Sequence, residues 1–313
     1  MGFNSWNGYH CNIDENIVKS MATAMLNNGM ANAGYSYVNI DDCWQVAREF
    51  DNQSIVADPV RFPSGMAQLA EDIHAMGMKF GVYTARGSGT CQGRPGSLNH
   101  EVIDAQTYCD WDLDYIKANL WRTHGDIQAN FGSVLANIYA NDVMASVAKP
   151  GHFNDPDMLQ VGNPGLSDDE GLTHFALWCI ASAPLLAGTD LIHASNTTLA
   201  ILTAPELIAV NQDLGYNNQI QGRNVKLSGM SDDTVSFWVK RLASGDYAIV
   251  VVNEGSAPAS NVKIPFTDLG LSAGPYALRD LWRQTDVGQF SDSYTIASIN
   301  SHASFSFKLT SAN

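Results

Sequence analysis

The chain lacks any run of about 18 apolar residues, so no membrane-spanning helix is expected. It is poor in cations. Its 17 Lys and Arg stand against 32 Asp and Glu, for a formal charge of −15. Such a surface repels phosphate, which argues against nucleic acid as a partner and suits a neutral substrate. The five cysteines include no C-x-x-C pair, and the eight histidines do not join them at metal-ligand spacing, so no metal site is implied. There is no G-x-S-x-G to support a Ser/His/Asp triad. The ARGSGT run at 85–90 has glycines but not the lysine and helix of a phosphate loop. Internal repeats and low-complexity segments are absent. No signal peptide precedes the strand-like GFNSW that follows Met1, as though an upstream portion were missing.

What remains is a chain of 313 residues, long enough for one large domain and a smaller one. Strand signals fall at Gly2–Trp6, Tyr37–Trp44, Lys79–Thr84 and Tyr115–Lys117, with helical stretches between them. Ile17, Met21 and Met25 share one helical face, and Leu69, Ile73 and Met76 another, with Gly77 as a stop. Strand-like Trp121–Ile127, Asn154–Leu159 and Leu185–Leu191 alternate with helices near Val134–Val147 and Gly171–Ala181. Strands alternating with helices predict a parallel sheet. Polar residues close several of these strands: Asp41 with Asp42, Tyr83, Asp126 and Asp157. That placement marks the active face of a (β/α)8 barrel.

The rhythm breaks once. In DYIKANLWRTHGDIQ, only Ala118, Asn119 and Leu120 separate Lys117 from Trp121, too few for a helix. The strand signals fall one short of a barrel, and the barrel-like portion ends near Gln212, below the usual size of about 250 residues. From about Asn217 the pattern becomes short and alternating, as in VSFWVKRL, YAIVVVNEG and ASFSFKL, which predicts an antiparallel β-sandwich. Two glycosylation triplets, Asn52-Gln-Ser54 and Asn196-Thr-Thr198, point toward a secreted protein.

The stretches MGFNSWN, YVNIDDCW, KFGVYTARGSGTCQGRPGSLNHE, WRTHGDI, HFNDPDMLQVGNPGLS, HFALWCIASAPLLAGTDL and APELIAVNQD run in order over residues 1–213. In them the sequence resembles glycoside hydrolase family 27, the α-galactosidases and α-N-acetylgalactosaminidases. The resemblance implies a TIM-type barrel at 1–213, a sandwich at 217–313, and release of terminal α-linked galactose with retention. It implies no cofactor. The family's general acid/base sits in W-R-x-x-x-D, matched here by Trp121, Arg122 and Asp126. Its nucleophile sits in K-Y-D-N-C, and here only Asp114–Lys117 of that region is present. The resemblance therefore implies an internal deletion between 117 and 118. It removes the nucleophile, the fifth-strand region and the loop that reads galactose against N-acetylgalactosamine. Asn119 has the nucleophile's spacing, but an amide is a poor nucleophile.

Retaining glycosidases need two carboxyl groups about 5–5.5 Å apart, so loss of one predicts little catalysis. A non-catalytic galactose-binding protein and a misfolded product are the competing readings. By resemblance, Trp6 is the platform against the sugar, and Asp41 and Asp42 bind its hydroxyls. Tyr83 and Lys117 line the pocket, Arg122 orients sugar and acid/base, and Asp157 with Met158 closes the site. Asp155 is read as structural, and His124 as variable. Cys11 and Cys43 match a disulfide of the family, which implies an oxidising compartment: secreted, or lysosomal or vacuolar. Cys91 matches a cysteine whose partner is deleted, and so should be a free thiol near the pocket. Cys109 and Cys179 are expected to be buried in helices.

Overall fold

The computed structural model describes residues 1–117, 121–228, 234–271 and 274–312. Asn119 lies outside them. The chain divides into two compact units. The first comprises Met1–Leu120, Met158–Asn163 and Leu186–Leu199, and the second comprises Trp121–Asp157, Pro164–Leu185 and Ala200–Asn313. No helix among the described residues is long and apolar enough to cross a membrane.

The first unit is built on parallel strands. These are β1 (Gly2–Asn4), β2 (Tyr37–Ile40), β5 (Lys79–Tyr83), β6 (Tyr115–Lys117) and β7 (Leu186–Ala187), in the order β6-β5-β2-β1-β7. Between β2 and β5 lie β3 (Gln45–Arg48) and β4 (Ile55–Ala57), which pair as an antiparallel hairpin. Helix Glu15–Asn27 buries Val18, Met21, Ala22 and Met25, a helical spacing, and Asp14 caps it by accepting from Ile17 N at 2.8 Å. Helix Met66–Ala75 buries Met66, Leu69, Ala70 and Ile73 in the same way. It ends before Gly77, whose φ of +78° is easy only for glycine. The sheet is tight at Gly81, where a Cβ would stand 2.4 Å from Asn39 Oδ1 and 2.7 Å from Tyr115 O.

The second unit holds the sandwich. Strands β8 (Arg223–Val225), β9 (Val235–Arg241), β10 (Tyr247–Asn253), β11 (Ala259–Pro265), β12 (Tyr276–Asp280), β13 (Thr285–Phe290), β14 (Ser293–Ile299) and β15 (Ser304–Ser311) form two antiparallel sheets. One runs β13-β12-β15-β10-β9-β8, and the other pairs β11 with β14. Phe237, Ile249, Val251, Ile264, Phe266, Leu278, Phe307 and Leu309 are buried between them. Strand β10 is buried on both faces, because helix Asp168–Ile180 lies on its other side. That helix is buried nearly all round from Thr173 to Ile180, and Ser167 and Glu170 close its start as a capping box.

Several expectations change. Trp121–Ile127 is not a strand: only Arg122 bridges, to Asp155, and beyond Thr123 the chain turns, with the Gly125 carbonyl taken by Asn137 Nδ2 at 3.0 Å. Asn154–Leu159 is likewise reduced to bridges at Asp155 and Leu159. Pro156 has no N–H to give, and Asp157 sits at φ +91°. Asp41 and Asp42 do not alternate across a strand, because β2 ends at Ile40 and Cys43 turns the chain at φ +79°. Cys109 is exposed rather than buried, since helix Glu101–Asp110 buries only Asp104 and Tyr108.

Lys240, in β9, is buried. Its Nζ donates to Ser182 Oγ at 2.6 Å, Val210 O at 2.7 Å and Asp213 O at 2.8 Å, tying the sheet to two helix ends. Lys240→Met strands those acceptors and should lower stability by about 3 kcal/mol in urea unfolding. Burial also pushes the Lys240 pKa down to about 8. Unfolded lysine titrates near ~10.4, so between these values the unfolded chain binds more protons and stability rises with pH. The native protein should gain stability from pH 8 to 10 relative to Lys240→Met, and parallel profiles would contradict this.

Candidate active site

In the first unit the site residues gather at the C-terminal ends of β2, β5 and β6. Lys117 Nζ meets Asp41 Oδ2 at 2.9 Å, with both side chains almost wholly out of water. Asp41 Oδ1 accepts from Asp42 N at 2.9 Å, and Asp41 N donates to Ser5 Oγ at 2.9 Å. Asp42 turns instead to the glycine-rich loop. Its Oδ1 accepts from Thr90 Oγ1 at 2.8 Å and Cys43 N at 2.7 Å, and its Oδ2 from Gln92 N at 3.0 Å. Tyr83 is buried, and its hydroxyl lies 3.9 Å from Cys91 Sγ. Burial, followed by Cys91, Asp42 and Asp41, pushes the Tyr83 pKa well up, so the phenol stays neutral. Trp6 opens the short helix after β1, half-exposed, with its ring edge-on to His10 at 5.2 Å. Met158 is buried next to the bridge from Leu159 to β7. Cys11 and Cys43 form a disulfide with Cα atoms 5.2 Å apart, and Cys91 is a free, exposed thiol.

The second unit carries a separate cluster centred on Arg122. Its Nη2 lies 2.7 Å from Asp157 Oδ2, 3.2 Å from Asp126 Oδ1 and 3.4 Å from His124 O. The two carboxylates differ in setting. Asp157 is 5% exposed and also accepts from Ile127 N at 2.9 Å, while Asp126 is 75% exposed. The pair with Asp157 is thus the strong one, and the pair with Asp126 aims an otherwise solvated carboxylate. Asp155 Oδ1 accepts from Asp157 N at 2.8 Å, and Trp178 Nε1 donates to Asp157 O at 2.7 Å. These bonds hold Asp157 in its left-handed conformation. His124 contributes its carbonyl to Arg122.

Thr90, Gln92 and Ser5 were not anticipated as partners of the aspartates. The only trace of the first two in the sequence is the tight-turn composition of GSGTCQG.

Parallel strands with polar C-terminal ends, followed by a two-sheet antiparallel sandwich, are the architecture of a barrel enzyme with an appended β domain. Residues 1–120 and 117–213 match the family profile described as "Alpha galactosidase A", and residues 232–309 match "Alpha galactosidase C-terminal beta sandwich domain". The chain is 38% identical over 364 residues to a protein of Dictyostelium discoideum named "Probable alpha-galactosidase", covering 100% of this chain and 92% of that one. It is 37% identical over 336 residues to alpha-galactosidase 2 of Arabidopsis thaliana, covering 91% and 83%. The crystal structure of alpha-galactosidase I from Mortierella vinacea superposes with a TM-score of 0.92 at 28% identity, over 99% of this chain and 96% of that one. The fold is accordingly a TIM-type barrel followed by a C-terminal sandwich. The chain belongs to glycoside hydrolase family 27, the alpha-galactosidase family.

Thiol exposure gives a direct check. Without reductant, Cys91 and Cys109 should alkylate readily in the folded protein. Cys11 and Cys43 should not, and Cys179, whose thiol pKa burial pushes well up, should react only on unfolding. Peptide mapping that finds Cys91 in an intramolecular disulfide would contradict the arrangement.

Proposed function

We propose that this chain is an α-galactosidase-type hydrolase that keeps groups for holding terminal α-linked galactose but lacks the nucleophile, so that it hydrolyses galactosides slowly or not at all. The observation that carries this reading is the interval after β6. Lys117 and Trp121 are separated by Ala118, Asn119 and Leu120, none of which is a carboxylate. The profile match in two blocks that meet at 117–120 supports a deletion there. So does an alignment of 364 positions against a chain of 313. On this reading residues 1–213 are a barrel domain truncated between 117 and 118, and 217–313 are the sandwich domain.

The remaining carboxylates are poor substitutes. Asp41 is committed to Lys117, Asp42 to Thr90 and Gln92, and Asp157 to Arg122 and Ile127 N. Asp126 is solvated and can give a proton to a leaving oxygen, the general acid half of a retaining pair. Trp6, Asp41, Asp42, Tyr83, Lys117, Arg122, Asp157 and Met158 are assigned to binding the terminal sugar. The Cys11–Cys43 disulfide favours a secreted, lysosomal or vacuolar location.

The activity test is direct. Loss of a nucleophile costs several orders of magnitude in rate, so an aryl α-galactoside should be cleaved at or near background. Azide or formate, small enough to take the place of a missing carboxylate, should raise the rate. Ordinary enzyme rates without additive, abolished by Asp126→Ala, would mean that another residue is the nucleophile.

A deletion should also leave apolar surface uncovered. Trp121, Val143, Val147 and Phe153 are exposed in the second unit, within segments linked by Asp155 N to Trp121 O and Asn154 Nδ2 to Met144 O. The purified chain should therefore bind an anilinonaphthalene dye strongly and melt over a broad range. A single sharp calorimetric transition with little dye uptake would show instead that the barrel closes on seven strands.

A further inference from the structure

The tip of the β3–β4 hairpin carries a feature that galactoside chemistry leaves unexplained. Phe50 is 97% exposed. Leaving a phenylalanine in water forgoes about 1.5–3 kcal/mol of burial, so a bare aromatic on an ordered tip asks for a partner. The tip is ordered by its own bonds: Glu49 N donates to Ser54 O at 2.9 Å and Gln53 N to Glu49 O at 3.1 Å, with Gln53 at φ +61°. Arg48 pins it from below, donating to Gln53 O at 2.8 Å while pairing with the buried Asp104 at 2.6 Å.

Two residues beyond Phe50 stands Asn52-Gln53-Ser54, an acceptor triplet for N-linked glycosylation with no proline in it. Asn52 is exposed, and its Oδ1 accepts from Ser54 N at 2.9 Å. Its Nδ2, the atom that a glycan would occupy, has no partner among the described residues. Two trans peptides keep the Phe50 and Asn52 Cα atoms within about 7 Å, inside the reach of a phenyl ring and the first sugar. The other triplet differs. Thr198 is buried, with its hydroxyl 2.9 Å from Ser195 Oγ, and Ala194 rather than an aromatic stands two residues before Asn196.

We infer that Asn52 carries an N-linked oligosaccharide and that Phe50 stacks on the apolar face of its first sugar. The inference rests on the secretory location given above. In the reaction, the amide nitrogen of Asn52 attacks the anomeric carbon of an oligosaccharide held on a lipid pyrophosphate. The C–N bond forms as the C–O bond to pyrophosphate breaks. The lipid pyrophosphate leaves with the electron pair, and the amide proton passes to a base of the transferase. The C–H face of a pyranose is apolar and weakly positive, so it complements the negative face of the phenyl ring and shields it from water.

The test is translation of the chain, behind a cleavable leader, in the presence of endoplasmic-reticulum microsomes. This forces translocation whatever the natural location, and it reads glycan addition even if the product later folds poorly. A mobility shift removed by peptide N-glycosidase is expected. Asn52→Gln or Ser54→Ala should remove one glycan from the shift, and Asn196→Gln should leave that glycan in place. Phe50→Ala should lower the occupied fraction severalfold, and Phe50→Trp should restore it. Absence of a shift, or a shift of undiminished size in Asn52→Gln, overturns the site. Unchanged occupancy in Phe50→Ala overturns the stacking. A reduced Cys11–Cys43 pair in protein from its native source, with Asn52 glycosylated in microsomes, would count against the location alone.

Discussion

The buried ion pair between Lys117 Nζ and Asp41 Oδ2, at 2.9 Å, is the contact on which the first unit's site depends. Lys117 is the last residue of β6, and Asp41 follows the end of β2. With both heads out of water, neither charge is tolerable without the other, and removing one partner of such a pair typically costs about 3–5 kcal/mol. The pair therefore fixes where β6 ends. It also occupies Asp41, which makes that carboxylate a poor candidate for a nucleophile.

A second constraint acts through Arg122. A guanidinium offers a planar fork of donors, and here its Nη2 alone reaches both a buried carboxylate and a solvated one. Asp157 is further held by Ile127 N and by Asp155, so Arg122 has a rigid base from which to aim Asp126. What the arrangement can do follows from the count of usable carboxylates. One solvated acid can assist a leaving group. A retaining displacement also needs an attacker on the opposite face of the sugar, and the three residues between Lys117 and Trp121 provide no carboxylate.

Much of the framework was legible in the sequence because local patterns report it. The helical spacing of Met21 and Met25, the stop before Gly77 and the alternating runs after Asn217 each signal one element, and each element is there. The Cys11–Cys43 bond, expected by resemblance, also forms. What escaped were features set by contacts distant in sequence. VSFWVKRL reads as an alternating strand, but nothing in it says that Lys240 is buried, which follows from the oxygens that two helix ends supply to it. The ends of β2 and of Asn154–Leu159 could not be placed, since positive φ at Cys43 and Asp157 has no residue signature other than glycine. At the site, the residue types were visible but their pairing was not. Nothing local says that Asp41 turns to Lys117 while its neighbour Asp42 turns to Thr90.

On the proposed function, no carboxylate in this chain attacks the anomeric carbon. A fluorinated galactosyl donor, which slows hydrolysis of the glycosyl-enzyme and lets it accumulate, addresses that claim directly when read by intact-protein mass spectrometry. The mass should be unchanged after prolonged incubation. A mass increased by one fluorogalactosyl group, mapped to any aspartate or glutamate, would contradict it and identify the nucleophile.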